Sequence, residues 1–425
     1  VDVEAKKKNP GNHQNALAAC SYDVESIRRD FPILSRKIYD KNLVYLDNGA
    51  SAQKPKIVLD TIVRAYSEEY SNVHRGLHYL SNVATANYEE AREIVAEFLN
   101  AADKDEIIFT SNATAAINLV AQSFGQIQIQ NGDEVLLSIM EHHSNIVPWH
   151  FHRERRGAVL KWAPVNDDGS FNVEDFEACL SDRTKMVAIT HVSNVLGTIV
   201  PIKEVAEICR ARGIPVLVDG SQGAVHLPVD VQELGVDFYV FTGHKVYGPS
   251  GIGVLWAKKE HLEAMPPYMG GGEMIGEVRK DHITYAHPPH RFEAGTPPIV
   301  QAIGLGAALR YIMSAGRENI REHEDMLTAY AHQRLSEVKS LRIFGGTTNK
   351  SSIISFEMSG AHAHDVSTII DRSGVAIRAG THCAEPLLER FGVTSTCRAS
   401  LGMYNTIEEI DVLTEALIKA EKFFS

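Results

Sequence analysis

Two polar residues, each at the end of an apolar run, carry the first chemical signal in this chain. Pro215-Val216-Leu217-Val218 ends in Asp219, followed by Gly220-Ser221-Gln222-Gly223. A carboxylate at the end of a buried strand needs a cation or a hydrogen-bond donor, because burying it unpaired is costly. Its local alternative is a helix cap or turn residue. The next apolar run, Val236 to Phe241, leads into Thr242-Gly243-His244-Lys245, and this lysine stands 26 residues after the aspartate, just before a Tyr247-Gly248-Pro249 turn. Such a setting is a poor one for a solvated surface lysine. A lysine ε-amine forms a Schiff base with a carbonyl cofactor, and pyridoxal phosphate enzymes pair that lysine with an aspartate on the pyridinium nitrogen. Either residue alone says little. At the ends of successive strands, Asp219 and Lys245 together point to a pyridoxal phosphate site.

Three further segments fit the same cofactor. Ser111-Asn112-Ala113-Thr114 opens a helical period, whose unpaired amides and positive dipole end make a phosphate site. Glu141-His142-His143 follows an apolar run and offers an imidazole to stack on a pyridine ring. No metal is expected there, because adjacent histidines on an extended segment point to opposite sides and no carboxylate–histidine cluster completes a site. Asn194 follows the run Met186 to Thr190 and is placed to reach a ring hydroxyl, with a plain Asn-Val-Leu-Gly turn as its alternative.

The elements that must position these residues alternate in type. Glu106 to Thr110, Glu134 to Ile139, Val159 to Ala163, Met186 to Thr190 and Pro215 to Asp219 read as strands. Between them lie helical periods such as Ala113 to Phe124, apolar at 113, 116, 117, 120, 121 and 124, and Ile202 to Arg212. Runs that are apolar on both faces and joined by helices imply a mainly parallel sheet covered on both sides, an α/β fold. Ligands of such sheets sit beyond the carboxyl ends of the strands, where the polar residues above are found. After Gly251 to Trp256, the stretch Pro266 to Pro298 is rich in proline and glycine, and a loop that long is expected to be functional or to meet a partner. Ile299 to Met313 then reads as a long helix, with Ser352 to Met358 and Gly374 to Arg378 as strands of a second, smaller α/β domain. The expected division is a disordered extension over 1–22, a segment over 23–44 packing on the small domain, a large cofactor-binding domain over 45–310 and the small domain over 311–425.

Composition excludes several classes. The chain has 425 residues, long enough for two or three domains, and 44% of them are apolar. With 42 basic against 54 acidic residues the formal charge is -12, which argues against a nucleic-acid partner, since duplex affinity comes mainly from Lys and Arg on phosphates. The longest apolar runs fall far short of the ~20 residues that span a bilayer, so no membrane partner is expected. Five sparse cysteines, Cys20, Cys179, Cys209, Cys383 and Cys397, form no C-x-x-C pair and suit a reducing, cytoplasmic setting. Leu17-Ala18-Ala19-Cys20 lacks the apolar stretch that a lipoprotein cleavage site requires.

From about Val24 to Phe424 the sequence resembles the pyridoxal-phosphate-dependent enzymes of fold type I, class V aminotransferase-like, and within them the Suf-type (group II) cysteine desulfurases, close relatives of selenocysteine lyases. The resemblance rests on Tyr45 to Ala50, Asn72-Val73-His74-Arg75-Gly76, Met140 to Trp149, Thr242 to Lys245, Arg291 to Pro297 and Arg378 to Ala384. It implies Lys245 as the Schiff-base lysine, Asp219 as the pyridinium partner, Gln222 as the contact to the ring hydroxyl and His142 as the stacking imidazole. Thr114, Thr242 and His244 become phosphate contacts. Gly295 and Thr296 would reach the phosphate from a partner subunit, which implies a homodimer. Arg398 resembles the clamp on the substrate carboxylate, for which a planar guanidinium suits bidentate pairing, with Asn194, Arg378, His74 and Arg75 as further substrate contacts.

The sulfur chemistry implied by the resemblance rests on Arg378-Ala379-Gly380-Thr381-His382-Cys383-Ala384. Cys383 follows Gly-Thr-His, a polar and exposed setting suited to a reactive thiol, with Arg378 or His382 to favour the thiolate. Cys397 reads as structural. Family members commonly carry two histidines before the cysteine, and here the first is Thr381, which leaves a second imidazole's role without a bearer. The activity implied is conversion of L-cysteine to L-alanine with a persulfide on Cys383, passed to a sulfur-acceptor protein of the Suf system for iron–sulfur cluster assembly. The alternatives are a selenocysteine lyase acting on L-selenocysteine, another lyase or transaminase of the fold, and a non-catalytic relative, against which the intact Asp219, Lys245 and Cys383 argue.

Overall fold

A computed structural model describes residues 22–346 and 349–424. The extension expected over 1–22, with Cys20, therefore lies outside the described residues, except for Tyr22. The Tyr22 hydroxyl donates to the Met403 carbonyl at 2.7 Å. Next to it the short helix Val24–Arg29 is capped by Asp23 and lies against the C-terminal part, where Arg28 meets Glu409 at 3.0 Å.

Seven strands build the main sheet: β1 (Ile107–Thr110), β2 (Glu134–Ser138), β3 (Val159–Ala163), β4 (Thr184–Thr190), β5 (Val216–Asp219), β6 (Phe238–Thr242) and β7 (Gly253–Ala257). Their order is β1-β7-β6-β5-β4-β2-β3, and β7 alone among them runs antiparallel to its neighbours. All residues of β1, β2, β5, β6 and β7 are buried, as expected of strands covered on both faces. The register sets Thr190 beside Asp219, so two strand ends deliver polar groups to one edge. Gly220 is required immediately afterwards: a Cβ there would stand 2.1 Å from the Tyr239 ring.

The helix Ile299–Ala315 is apolar on nearly every side because it is wedged against Lys56–Ser67 and Tyr79–Leu99. It ends at Gly316, whose φ of +84° halts the helical run. The stretch before it contains a two-stranded hairpin, Ile275–Val278 with Ile283–Tyr285, which the Pro/Gly content hid. It is tied down by Glu293, whose carboxylate takes two bonds from Arg92 at 2.7 and 2.9 Å and one from the Phe109 amide at 2.7 Å.

The second sheet, β8 (Leu341–Phe344), β9 (Ile353–Met358), β10 (Arg378–Gly380) and β11 (Thr396–Ser400), is antiparallel in the order β8-β9-β11-β10. The run read as one strand over Gly374 to Arg378 is divided. Val375–Ala376 pairs in parallel with Val44–Tyr45, and only from Arg378 does the chain join β11. Val44 and Leu46 are accordingly buried in the same apolar core as Leu327, Phe356 and Leu417. Among the described residues, no single helix is long and apolar enough to cross a membrane.

Candidate active site

A cavity of about 540 Å³ opens where β4, β5 and β6 end, and the loop bearing Cys383 covers it from the C-terminal side. Asn112, Thr114, His142, Asn194, Asp219, Gln222, Thr242, His244, Lys245, Arg378, Cys383 and Arg398 all line it, and so does Thr381, the departure from the family's histidine. Residues up to 349 positions apart in sequence, Gly49 and Arg398, thus line one cavity.

Local rules place the first of these. Asn112 caps the helix Ala113–Gln128, its side chain accepting from the Ala115 amide at 2.8 Å, so free amides and a positive helix end face the cavity. Thr114 shares a hydroxyl contact of 2.7 Å with Ser144. Thr242 Oγ1 is buried with no hydrogen-bond partner among the described residues. Together these groups form a seat for an anion.

Asp219 is 5% exposed at the end of β5, and its Oδ1 accepts from the Ser221 amide at 2.9 Å. That bond is the local turn the sequence allowed, while the carboxylate still borders the cavity. Gln222 donates to the Gly49 carbonyl at 2.8 Å and leaves its Oε1 buried and unpartnered among the described residues. Lys245 is pulled down to about 8, first by desolvation, against which the Asp219 charge works. Desolvation, with Lys245 adding to it, also holds His142 at about 4, and His244 stands at about 4 for the same reasons. A lysine near neutrality beside neutral imidazoles, a carboxylate and unpaired polar atoms fits pyridoxal phosphate, which needs an amine, an anion seat and a partner for a ring nitrogen.

On the other wall, Arg398 donates from Nη1 to the Asn194 carbonyl at 2.9 Å and meets Asp47 at 3.4 Å, with its Nε unpartnered among the described residues. Arg378 reaches the other oxygen of Asp47 at 3.2 Å. Asp47 therefore orients two cationic groups at once, and the spacing of the sequence carries no sign of it. Glu141 is a second residue that sequence reading missed. It is fully buried, accepts from Ser138, Asn145 and the Thr190 amide, and is raised to about 8 by desolvation. Its position next to His142 was the available signal: it ties the loop of His142 to the end of β4.

Cys383 is exposed, whereas Cys397 is 1% exposed, gives its thiol proton to the Ala363 carbonyl and is pushed up to about 12 by burial. His382 does not supply the positive charge expected beside the thiol. Its ring turns to Thr396, at 2.9 Å from the hydroxyl, and desolvation holds it at about 3, so it stays neutral. Arg378 and Arg398 are the nearby cations.

Four expected residues lie elsewhere in this chain. Gly295 and Thr296 line a separate cavity with Tyr268 and Gln301. His74 bonds to Glu89 at 2.9 Å, and Arg75 to Glu273 at 3.0 Å. His74, Glu89 and His290 bring possible ligand atoms within 4.8 Å of one another, a carboxylate–histidine cluster that the sequence did not announce. Glu89 is already engaged there by Arg92 at 3.1 Å, a cation that opposes a metal.

The chain is similar to known proteins over nearly its whole length. The chain is 49% identical over 397 residues to a cysteine desulfurase of Dickeya dadantii, covering 93% of this chain and 96% of that one. It is 48% identical over 409 residues to a probable cysteine desulfurase of Streptomyces coelicolor, covering 95% and 98%. The crystal structure of the cysteine desulfurase CsdA from Escherichia coli superposes with a TM-score of 0.89 at 39% identity, covering 95% of this chain and all of that one. The model of the aminotransferase class-V family matches residues 44–413, from the strand that enters the second core to the last long helix, and the chain belongs to that family.

Proposed function

We propose that the protein is a pyridoxal 5'-phosphate-dependent cysteine desulfurase, which takes the sulfur of L-cysteine onto Cys383 and releases L-alanine. The observation that carries this reading is one cavity that holds Lys245 and Asp219 against an exposed Cys383. Bound pyridoxal phosphate supplies a carbonyl for the Lys245 amine and a ring that accepts electrons from the substrate Cα. Asp219 would hold a proton on the ring nitrogen, Gln222 would serve the ring hydroxyl and His142 would lie against the ring, while Thr114, Thr242, His244 and the helix end at Ala113 would hold the phosphate. Arg398 clamps the substrate carboxylate beside Asn194.

Lys245, its amine lowered to about 8 by desolvation, removes the Cα proton of L-cysteine. The Cys383 thiolate then attacks the substrate sulfur. A sulfur–sulfur bond forms on Cys383 as the substrate Cβ–S bond breaks, the electron pair left on Cβ takes a proton, and Lys245 returns a proton to Cα to give alanine. An exposed persulfide is open to a sulfur-acceptor protein, and iron–sulfur cluster assembly is the fitting destination.

The site is completed by a second copy of the chain. Arg75 and Glu273 tie the loop of His74 to the Gly270–Gly272 turn, and the Gly295 amide bonds to Gly272 at 3.0 Å, so all four outlying residues share one face. Leu77 is 98% exposed beside them and Tyr79 78%, apolar groups that a homodimer would cover.

The test is a single turnover with L-cysteine followed by peptide mass spectrometry. One added sulfur is expected on the peptide of Cys383, none on that of Cys397, with alanine and no pyruvate. Cys383→Ser should keep the cofactor and bind cysteine without forming persulfide. Persulfide on Cys397, or full turnover by the serine variant, would overturn the reading.

A further inference from the structure

The mechanism uses His142 and leaves its neighbour without a task, yet His143 links the segment of His142 to the cysteine loop twice. Its backbone amide donates to the Cys383 carbonyl at 2.8 Å. Its ring Nε2 meets the carboxylate of Glu385, the first residue of the helix Glu385–Arg390. His143 therefore grips the chain on both sides of Ala384.

That grip matters because the loop is strained. His382 and Cys383 both have φ of +54°, a left-handed stretch of two side-chain-bearing residues that is costly and persists only when its surroundings hold it. From one side the holds are Asn194 on the His382 carbonyl and Thr396 on the His382 ring. From the segment that carries His142, the hold is His143.

We propose that His143 is a positioning residue for Cys383: its contact with Glu385 keeps the thiol-bearing loop seated over the cavity, and release of that contact turns the thiol outward toward a sulfur acceptor. The proposal rests on the reading of Cys383 as the sulfur-accepting nucleophile. It adds what aims that nucleophile, and assigns the second histidine of the pair to the loop.

The experiment is the rate at which iodoacetamide alkylates Cys383 in the full-length holoenzyme, followed by peptide mass spectrometry. A half-exposed imidazole–carboxylate contact of this kind is worth a factor of about two to five, so His143→Ala should raise the Cys383 rate by that factor, and Glu385→Ala equally. The double variant should go no further than either single one, and His143→Gln, which keeps an N–H donor, should fall back toward the parent. Persulfide formed in a single turnover should drop by a similar factor while KM for cysteine and the cofactor absorption hold. Alkylation of Cys397, buried in the parent, serves as the folding control. If it rises in one variant, Glu385→Gln decides. An unchanged Cys383 rate in both single variants, or additive effects in the double, overturns the proposal. A parent enzyme that forms no Cys383 persulfide would instead refute the desulfurase reading, leaving the alkylation result to stand on its own.

Discussion

The side-chain amide of Asn194 donates to the backbone carbonyl of His382 at 2.8 Å, joining the segment after β4 to the loop of Cys383. Asn194 is held from the other direction as well, since its own carbonyl receives Arg398. The residue that follows a strand of the main sheet thus fixes both Arg398 and the cysteine loop. A substrate that draws on Arg398 is felt at His382 through one side chain.

Arg398→Lys should separate the two functions of that clamp. An ammonium cannot serve the Asn194 carbonyl, Asp47 and a substrate carboxylate in one plane. KM for cysteine is expected to rise about 10- to 100-fold, the range for loss of a hydrogen bond to a charged group, with a smaller change in kcat. Steady-state kinetics checks this, and an unchanged KM would remove Arg398 from substrate binding.

Lys245→Met should abolish alanine production and at the same time make the cofactor-free protein more stable. Lys245 is lowered from its ordinary value to about 8, chiefly by desolvation, so at neutral pH the folded state bears the cost of a protonated amine in a confined cavity. Replacing it with an apolar chain of similar length should raise unfolding free energy by about 1–2 kcal/mol, allowing for partial solvent screening. Chemical denaturation at neutral pH measures it.

Asp219→Asn should cut kcat by about 100-fold or more while leaving KM within a few-fold, because the carboxylate acts when charge develops on the ring rather than when cysteine binds. The diagnostic is the rate of exchange of the Cα proton in D₂O. Normal exchange in the variant would contradict this role.

The cofactor-free protein should lose stability steeply on acidification. Burial holds His142, His191, His244 and His332 at about 4 and His382 at about 3. In the unfolded chain these groups take up protons near pH ~6.5. Between those values the unfolded state binds more protons, so stability is fully present above about pH 6.5 and is lost as pH falls through about 4. Glu141, raised to about 8, works in the opposite direction and offsets part of the loss. Melting temperature measured from about pH 7 to pH 5 should fall throughout, and a flat profile would contradict the burial of these rings.

How much of this was legible depended on distance along the chain. Asp219, Thr242 and Lys245 could be found because each follows directly on an apolar run, and the strand end is a local address. The opening of the helix at Ser111 to Thr114 was legible for a like reason, as the start of a strongly periodic segment. Asp47 was not, because its partners Arg378 and Arg398 lie more than 300 positions away and nothing in the spacing names them. The division of the run after Gly374 was equally hidden, since Val375–Ala376 changes partner to a strand near the other end of the sequence. The hairpin at Ile275–Tyr285 escaped because its residues are exposed on both faces, so no alternation of apolar and polar residues marks it.

The pairing of Val44–Tyr45 with Val375–Ala376 sets an order of events during synthesis. Val44 and Leu46 emerge early but find their apolar core only when residues of the last helix, such as Leu417, have been made. Asn48 waits for Ser400, 352 positions later, for the shortest bond its side-chain amide donates, at 2.8 Å. Closing so long a loop is entropically unfavourable and slow compared with local contacts. A nascent chain halted before β11 already carries every strand of the main sheet, with Asp219 and Lys245 in sequence to meet. It still lacks Arg398 and the last helix that completes the second core, so the wall bearing that arginine is the last part of the molecule to close.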